Sequence, residues 1–241
     1  MKYAIIAAGE GSRLAAEGVA EPKPMVRVNG EMLVDRLMRI FMDNDAEEIV
    51  VICNDKMKAV GKHLNDIKSL GLNGHKVPLE VVVKSTPSSM HSFFEIRNSL
   101  KDSAFCLTTV DTIFSEKEFA SYIAAFYKTV ESGNIDGMMG VTGYNDDEKP
   151  LYVGTDSHLN ITGFWDENAG CKYVSGGIYG LTPRSIPLLE QCVYDGESRM
   201  RNFQRALVKA GFRLKALPFG KITDIDHASD ILKAEAFLKG M

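Results

Sequence analysis

The sequence has only four cysteines in 241 residues, Cys53, Cys106, Cys171 and Cys192, and no two of them form a CxxC pair. This excludes a sequence-legible zinc ribbon or disulfide framework. With two of the cysteines inside apolar runs, buried and reduced thiols are expected. Tryptophan occurs once, at Trp165, and a lone tryptophan in a strand reads as core or interface before it reads as a ligand platform. No apolar run approaches the roughly 18 residues that a membrane-spanning helix needs. The first such run is interrupted at Gly9 and Glu10, too early for a secretory signal, so a cytoplasmic protein without membrane insertion is expected. A basic excess is missing too. The 28 Lys and Arg face 32 Asp and Glu, a net charge of −4, which argues against nucleic-acid partners. Low-complexity linkers and internal repeats are also absent.

What is present is a chain that can build a core, with 45% hydrophobic and 25% charged residues. Its length suits one domain over residues 1–241. The first half alternates buried strand patterns ("YAIIAA", "EIVVICN", "LEVVVKS", "AFCLTTV") with helical ones. In "EMLVDRLMRIFMDN", for example, Leu33, Leu37, Ile40 and Phe41 share one face. This βαβαβαβα rhythm predicts an α/β fold, a Rossmann-like and mostly parallel mixed sheet flanked by helices. In such sheets ligands gather at the carboxyl ends of the strands. From about residue 136 short segments rich in Gly and Thr replace the rhythm and predict a small inserted antiparallel section. Residues 1–135 thus read as the half with the alternating rhythm, and 136–241 as the half that carries the inserted section.

The loop "AAGEGSRL", residues 7–14, follows the first strand. A dinucleotide fingerprint would need a third glycine, which is absent, and an acidic residue about 20 positions further on at the end of the second strand, which does not arrive until residue 48. A Walker A loop would need G-x-x-x-x-G-K-[ST], which the chain lacks. A plain strand-to-helix turn remains open for these residues alone. Further on, "EPKPM" sets Lys23 between Pro22 and Pro24, where two prolines stiffen its backbone.

Glycine loop and Pro-Lys-Pro together resemble the signature of nucleotidyltransferases, the group of sugar-1-phosphate nucleotidylyltransferases, phosphocholine cytidylyltransferases and molybdenum-cofactor nucleotidylyltransferases. The matching residues are Ala7, Ala8, Gly9, Gly11, Ser12, Arg13 and Leu14, then Pro22, Lys23, Pro24 and Met25. Two departures stand out. "AAEGVAE" replaces the usual Pro and Thr between loop and lysine, and Val110 takes the glycine position of the Gly-Asp after the fourth strand. The resemblance implies a nucleotide-diphospho-sugar transferase-like fold, with residues 1–135 as the nucleotide-binding half and 136–241 as the half that binds an acceptor and completes a metal site, and Mg²⁺ as cofactor. The implied reaction is NMP transfer from an NTP to a phosphorylated small molecule, with a sugar 1-phosphate as the leading acceptor and a phosphocholine-like phosphoalcohol as the alternative.

Nucleotidyl transfer brings an anionic phosphate against an anionic triphosphate, so cations and alignment carry the catalysis. Backbone amides of the glycine loop can cradle phosphate oxygens. Arg13 would hold the β- and γ-phosphates, and Lys23 would offset charge at the α-phosphate or the acceptor phosphate. Asp111 follows the fourth strand, and "ITDIDHASD" resembles the family's C-terminal "DIDxxxD" element. That match implies Asp111 and Asp226 as the metal pair, with Asp224 in reserve. Ser88 and Ser89, with Ser92 behind them, are candidates for base contacts, and His91 reads equally well as a helix-surface residue. "GFWDENAGCKYVSGGIYGL" resembles the acceptor-binding strands and offers Glu167, Lys172 and Gly177. Two other classes compete: a glycosyltransferase, which would need a D-x-D near the middle of the sequence, and a non-catalytic nucleotide-sugar-binding relative, which would have no need of all four of Arg13, Lys23, Asp111 and Asp226.

Overall fold

The first strand, β1 (Lys2–Ala7), is apolar on both faces because both are covered. Tyr3, Ile5 and Ala7 point into one hydrophobic core, while Ala4 and Ile6 point into another on the opposite side. The computed structural model describes residues 1–240. After β1 come a five-residue helix α1 (Ser12–Ala16), a 3₁₀ turn at Lys23–Met25, a two-residue hairpin of β2 (Arg27–Val28) and β3 (Glu31–Met32), and helix α2 (Leu33–Met42). Strand β4 (Glu48–Cys53) leads to α3 (Lys58–Leu70), β5 (Leu79–Val83) to α4 (Ser89–Leu100), and β6 (Phe105–Thr109) to a short β7 (Thr112–Phe114) and α5 (Glu116–Glu131). Strands β8 (Gly137–Thr142), β9 (Tyr152–Thr155), β10 (Ile161–Trp165) and β11 (Tyr173–Leu181) follow. The chain continues with α6 (Ser185–Tyr194), α7 (Met200–Lys209), β12 (Leu214–Phe219), β13 (Ile222–Asp224) and α8 (Ala228–Lys239).

One nine-stranded mixed sheet runs through both halves of the chain. Strands β5, β4, β1 and β6 are parallel neighbours. Strand β11 then pairs antiparallel with both β6 and β8, and β12 runs parallel to β8. The β9–β10 hairpin joins at the start of β11, the antiparallel section expected from the Gly- and Thr-rich stretch. Under one face, Tyr3, Phe41 and Phe119 stack at ring separations of 4.5 and 5.7 Å and pin α2 and α5 to β1.

Two small pairings were not legible in the sequence, the β2–β3 hairpin and a second one further on. In the latter, strand β13 pairs with β7 over three residues, Ile222 to Phe114, Thr223 to Ile113 and Asp224 to Thr112. The patterning marked this C-terminal segment as a loop, since three residues are too few for a period-2 signal. The pairing matters because it carries "DID" back beside Asp111. The cysteines are free, and Cys53, Cys106 and Cys192 are buried. No described helix is long and apolar enough to cross a membrane.

Candidate active site

The carboxyl ends of the parallel strands open onto a cleft of about 890 Å³. Its floor is the turn from β1 to α1. Gly11 there is left-handed, with φ 63°, and a Cβ on it would come to 3.0 Å from Cβ of Lys23. Around Gly9 there is open space, so a side chain at that position would project into the cleft. Among the described residues none accepts a hydrogen bond from the backbone N–H groups of Gly9, Glu10 or Gly11. That leaves donors for an anion.

Lys23 begins the 3₁₀ turn between its two prolines, of which Pro24 is buried. Its ammonium is 10% exposed and pairs with the carboxylates of both Asp111 and Asp226, the latter at 2.8 Å. Burial works against its charge, but Asp111 and then Asp226 outweigh this and hold its pKa above the usual lysine value. Arg13 Nη1 reaches the other oxygen of Asp226 at 3.0 Å. Arg13 and Lys23, near the start of the chain, thus form one network with the distant Asp111 and Asp226.

Asp224 stands beside them at the end of β13, within reach of solvent. The protein packed around it and then the charge of Asp111 push its pKa well above the usual carboxylate range, while Lys23 pulls the other way. Two cations therefore answer three carboxylates. Such hard oxygen donors suit Mg²⁺. Among the described residues no three ligands are arranged to hold a metal by themselves, so an ion here would need phosphate and water oxygens as well.

Val110 departs from the glycine pattern at no conformational cost. Its side chain is buried in the core and its N–H donates to the Ile6 carbonyl at 3.0 Å. The other departure, "AAEGVAE", closes α1 tightly. The Glu17 N–H donates to the Arg13 and Leu14 carbonyls, and the Gly18 N–H to that of Ala15, all at 3.1 Å.

On the opposite wall, Ser88 caps α4. Its Oγ lies 2.9 Å from His91 Nδ1 and accepts from the His91 N–H and, at 3.4 Å, from the Arg199 N–H. Ser89 and Ser92 also line this cleft, but the Ser92 hydroxyl is already bonded to that of Thr86 at 2.6 Å. Asn54 ties the walls together. Its Nδ2 donates to the Ala8 carbonyl at 3.1 Å, and its Oδ1 accepts from the Ser85 hydroxyl at 2.7 Å. Sequence reasoning passed over Asn54, although a polar residue ending an apolar strand on the ligand side is a readable signal.

A second compartment of about 200 Å³ shares Arg13 and Asp226 with the first and is walled by Thr142, Tyr144, Ser175, Gly176 and Asp224. The three residues expected at the acceptor are not brought together. Glu167 lies in a separate groove with Arg201 and Arg205. Lys172 sits over the Tyr173 ring at 5.1 Å, outside both compartments. Gly177, left-handed with φ 70° at an irregularity in β11, packs against Thr112, where a Cβ would come to 2.9 Å from the hydroxyl oxygen. Trp165 lies flat across Gly154 and Gly163 and is 39% exposed.

Comparison with known proteins bears on the family and the fold. Residues 3–207 match the MobA-like NTP transferase domain. A glucose-1-phosphate cytidylyltransferase of Salmonella typhimurium is 32% identical over 56 residues, 23% of this chain. That match spans only 22% of the relative's own length. The inositol-1-phosphate CTP transferase from T. maritima superposes with a TM-score of 0.78 at 21% identity, covering 99% of this chain and 96% of the other. A UDP-glucose pyrophosphorylase complexed with UDP-glucose gives 0.81 at 16% identity and covers 100% of each. At these identities the superpositions establish the fold, whereas the domain match covers most of the chain. The chain belongs to the MobA-like NTP transferase domain family of nucleotidyltransferases.

Proposed function

We propose that this enzyme transfers NMP from an NTP to a phosphorylated small molecule, in the first place a sugar 1-phosphate, and releases pyrophosphate. The observation that carries this reading is the single network of Arg13, Lys23, Asp111 and Asp226 at the mouth of a glycine-lined cleft. An oxygen of the acceptor phosphate attacks the α-phosphorus, the bond from that phosphorus to the oxygen bridging to the β-phosphate breaks, and pyrophosphate leaves. The backbone donors of Gly9 to Gly11 cradle phosphate oxygens, and Arg13 turns from Asp226 to the β- and γ-phosphates. Lys23 exchanges a carboxylate for the reacting phosphates and offsets charge that grows in the transition state. Asp111 and Asp226 would hold Mg²⁺, which when bound offsets phosphate charge in the same place. The hydroxyl-rich wall at Ser88 and Ser89 faces the base, and the compartment at Thr142 and Ser175 takes the acceptor.

The sugar-phosphate reading draws support from the named activities of the relatives above. The test is pyrophosphate release from ATP, CTP, GTP, UTP and dTTP, each with Mg²⁺ and a panel of phosphorylated sugars and alcohols. One productive pair is expected. No release from any pair, at enzyme concentrations that give single turnover, would remove the proposal.

A further inference from the structure

Asp226 is held by Arg13 and Lys23, yet under the proposed reaction both cations must turn to phosphates. Something else must then keep the Asp226 loop in place. Glu17 is built for this. Its carboxylate uses both oxygens on the residues that follow Asp226. Oε1 lies 2.6 Å from His227 Nδ1, and Oε2 accepts the Ala228 N–H at 2.7 Å, at the start of α8. An ionised carboxylate only accepts, so Nδ1 of His227 carries the proton and donates. From the other side, Asp230 Oδ2 accepts the backbone N–H of His227 at 2.9 Å and of Asp226 at 3.3 Å. The peptide bearing Asp226 is therefore gripped at its backbone by Asp230 and at the next side chain by Glu17.

We propose that Glu17 is a positioning residue, resting on the nucleotidyl-transfer reading above, that keeps Asp226 in register while Arg13 and Lys23 engage the triphosphate. Its own seat is rigid. Glu17 ends α1 four residues after Arg13, and the left-handed Gly18, φ 88°, turns the backbone immediately after it. Helix α1 thus touches the Asp226 loop twice: through Arg13, a contact exchanged when phosphate arrives, and through Glu17, a contact that the proposed transfer does not call on. The segment that departs from the family pattern is the one that supplies this second tie.

The contact is partly exposed, with Glu17 at 39% and His227 at 35%, so its worth is alignment rather than stability. The test compares the full-length wild type with Glu17→Ala and Glu17→Gln. Glutamine keeps an oxygen for the Ala228 N–H. In Glu17→Ala, amide hydrogen exchange over residues 225–229 should quicken about tenfold or more with the rest of the protein unchanged. In the same variant kcat should fall about tenfold and the half-saturating Mg²⁺ concentration should rise, while KM for the NTP stays within about twofold. Glu17→Gln should recover most of both losses.

Unchanged exchange at 225–229 in the alanine variant would overturn the proposal. So would a loss shared equally by kcat, KM and Tm, which is the mark of general destabilisation. If the wild type itself releases no pyrophosphate, the functional reading fails, and the exchange measurement still decides whether Glu17 holds the loop.

Discussion

Lys23 and Asp226 are 203 positions apart in sequence, and their charged atoms meet at 2.8 Å in a place where the lysine is almost fully covered. The same ammonium also pairs with Asp111. In the free enzyme Lys23 therefore does for two carboxylates what an added cation would do, and replacing it has two separable effects. Lys23→Ala should lower kcat by about a hundredfold, since a lost transition-state cation contact costs on the order of 3 kcal/mol. It should also leave Asp111 without its cation and Asp226 with Arg13 alone, so Mg²⁺ should raise the Tm of this variant more than that of the wild type. Differential scanning with and without Mg²⁺ reads this directly. Equal shifts, together with turnover within a fewfold of wild type, would contradict it.

Asp111 and Asp226 share one lysine, so their removal should be non-additive. Either Asp→Asn change leaves Lys23 one carboxylate and should cost little stability, though activity should fall by orders of magnitude. The double variant leaves a buried ammonium unpaired, with a stability loss of about 3 kcal/mol or more. Urea unfolding of the two single variants and the double variant measures the coupling. Simple additivity would mean that Lys23 finds another partner.

How much of this was readable beforehand divides along a physical line. The β1–α1 glycine loop, the four parallel strands and the Pro-Lys-Pro lysine are local signals: runs of a few residues whose pattern is their structure. Asp111 and Asp226 were legible through motif resemblance, and the three-residue β7–β13 pairing that joins them was not, because it has no period to detect. The acceptor side fared worst. Lys172 and Glu167 lie on or beside strands that read correctly, but in short strands a bulge or turn decides which way a side chain faces. The irregularity between Ser175 and Ile178 in β11 is of this kind. Glu17 lies in a stretch with no pattern at all, and only the return of α8 gives it a partner.

Away from the cleft, Asp136 predicts a limit to acid stability. Its side chain is 7% exposed and bonds to Arg213 and to Arg184, the latter at 2.9 Å. Burial alone would raise its pKa. The side-chain and backbone hydrogen bonds of Arg213, and then Arg184, more than offset this and hold it at about 2 against an ordinary 3.8. A carboxyl whose folded pKa is depressed contributes stability that is fully present above the unfolded value and is lost as pH falls through the folded one. Asp136 should therefore contribute on the order of 1–2 kcal/mol above pH 4, fading between about pH 4 and 2. Asp136→Asn should be less stable than wild type at neutral pH, and the two unfolding curves should converge near pH 2. Parallel curves across that range would mean that Asp136 is not the group that titrates.

Gly11 offers the sharpest separation of site geometry from fold. Its φ of 63° lies where a β-carbon is strained, and a Cβ there would press on that of Lys23 at 3.0 Å. The strain of Gly11→Ala should cost about 1–2 kcal/mol. Relief of the contact has two routes. If the loop moves, its amides leave the phosphate path, and KM for the NTP should rise. If Lys23 moves instead, its ammonium retreats from Asp111 and Asp226, and kcat should fall while nucleotide affinity holds. Proline on either side stiffens the Lys23 backbone, whereas the glycine loop has few bonds of its own to keep it, so the loop should yield first. Gly11→Ala is therefore expected to raise KM by about tenfold with a smaller change in kcat. Gly9→Ala makes the control, because no atom lies within 4 Å of its added carbon and any loss must come from blocking the ligand. A Gly11→Ala enzyme with wild-type KM and a hundredfold lower kcat would place the weak point at Lys23 instead.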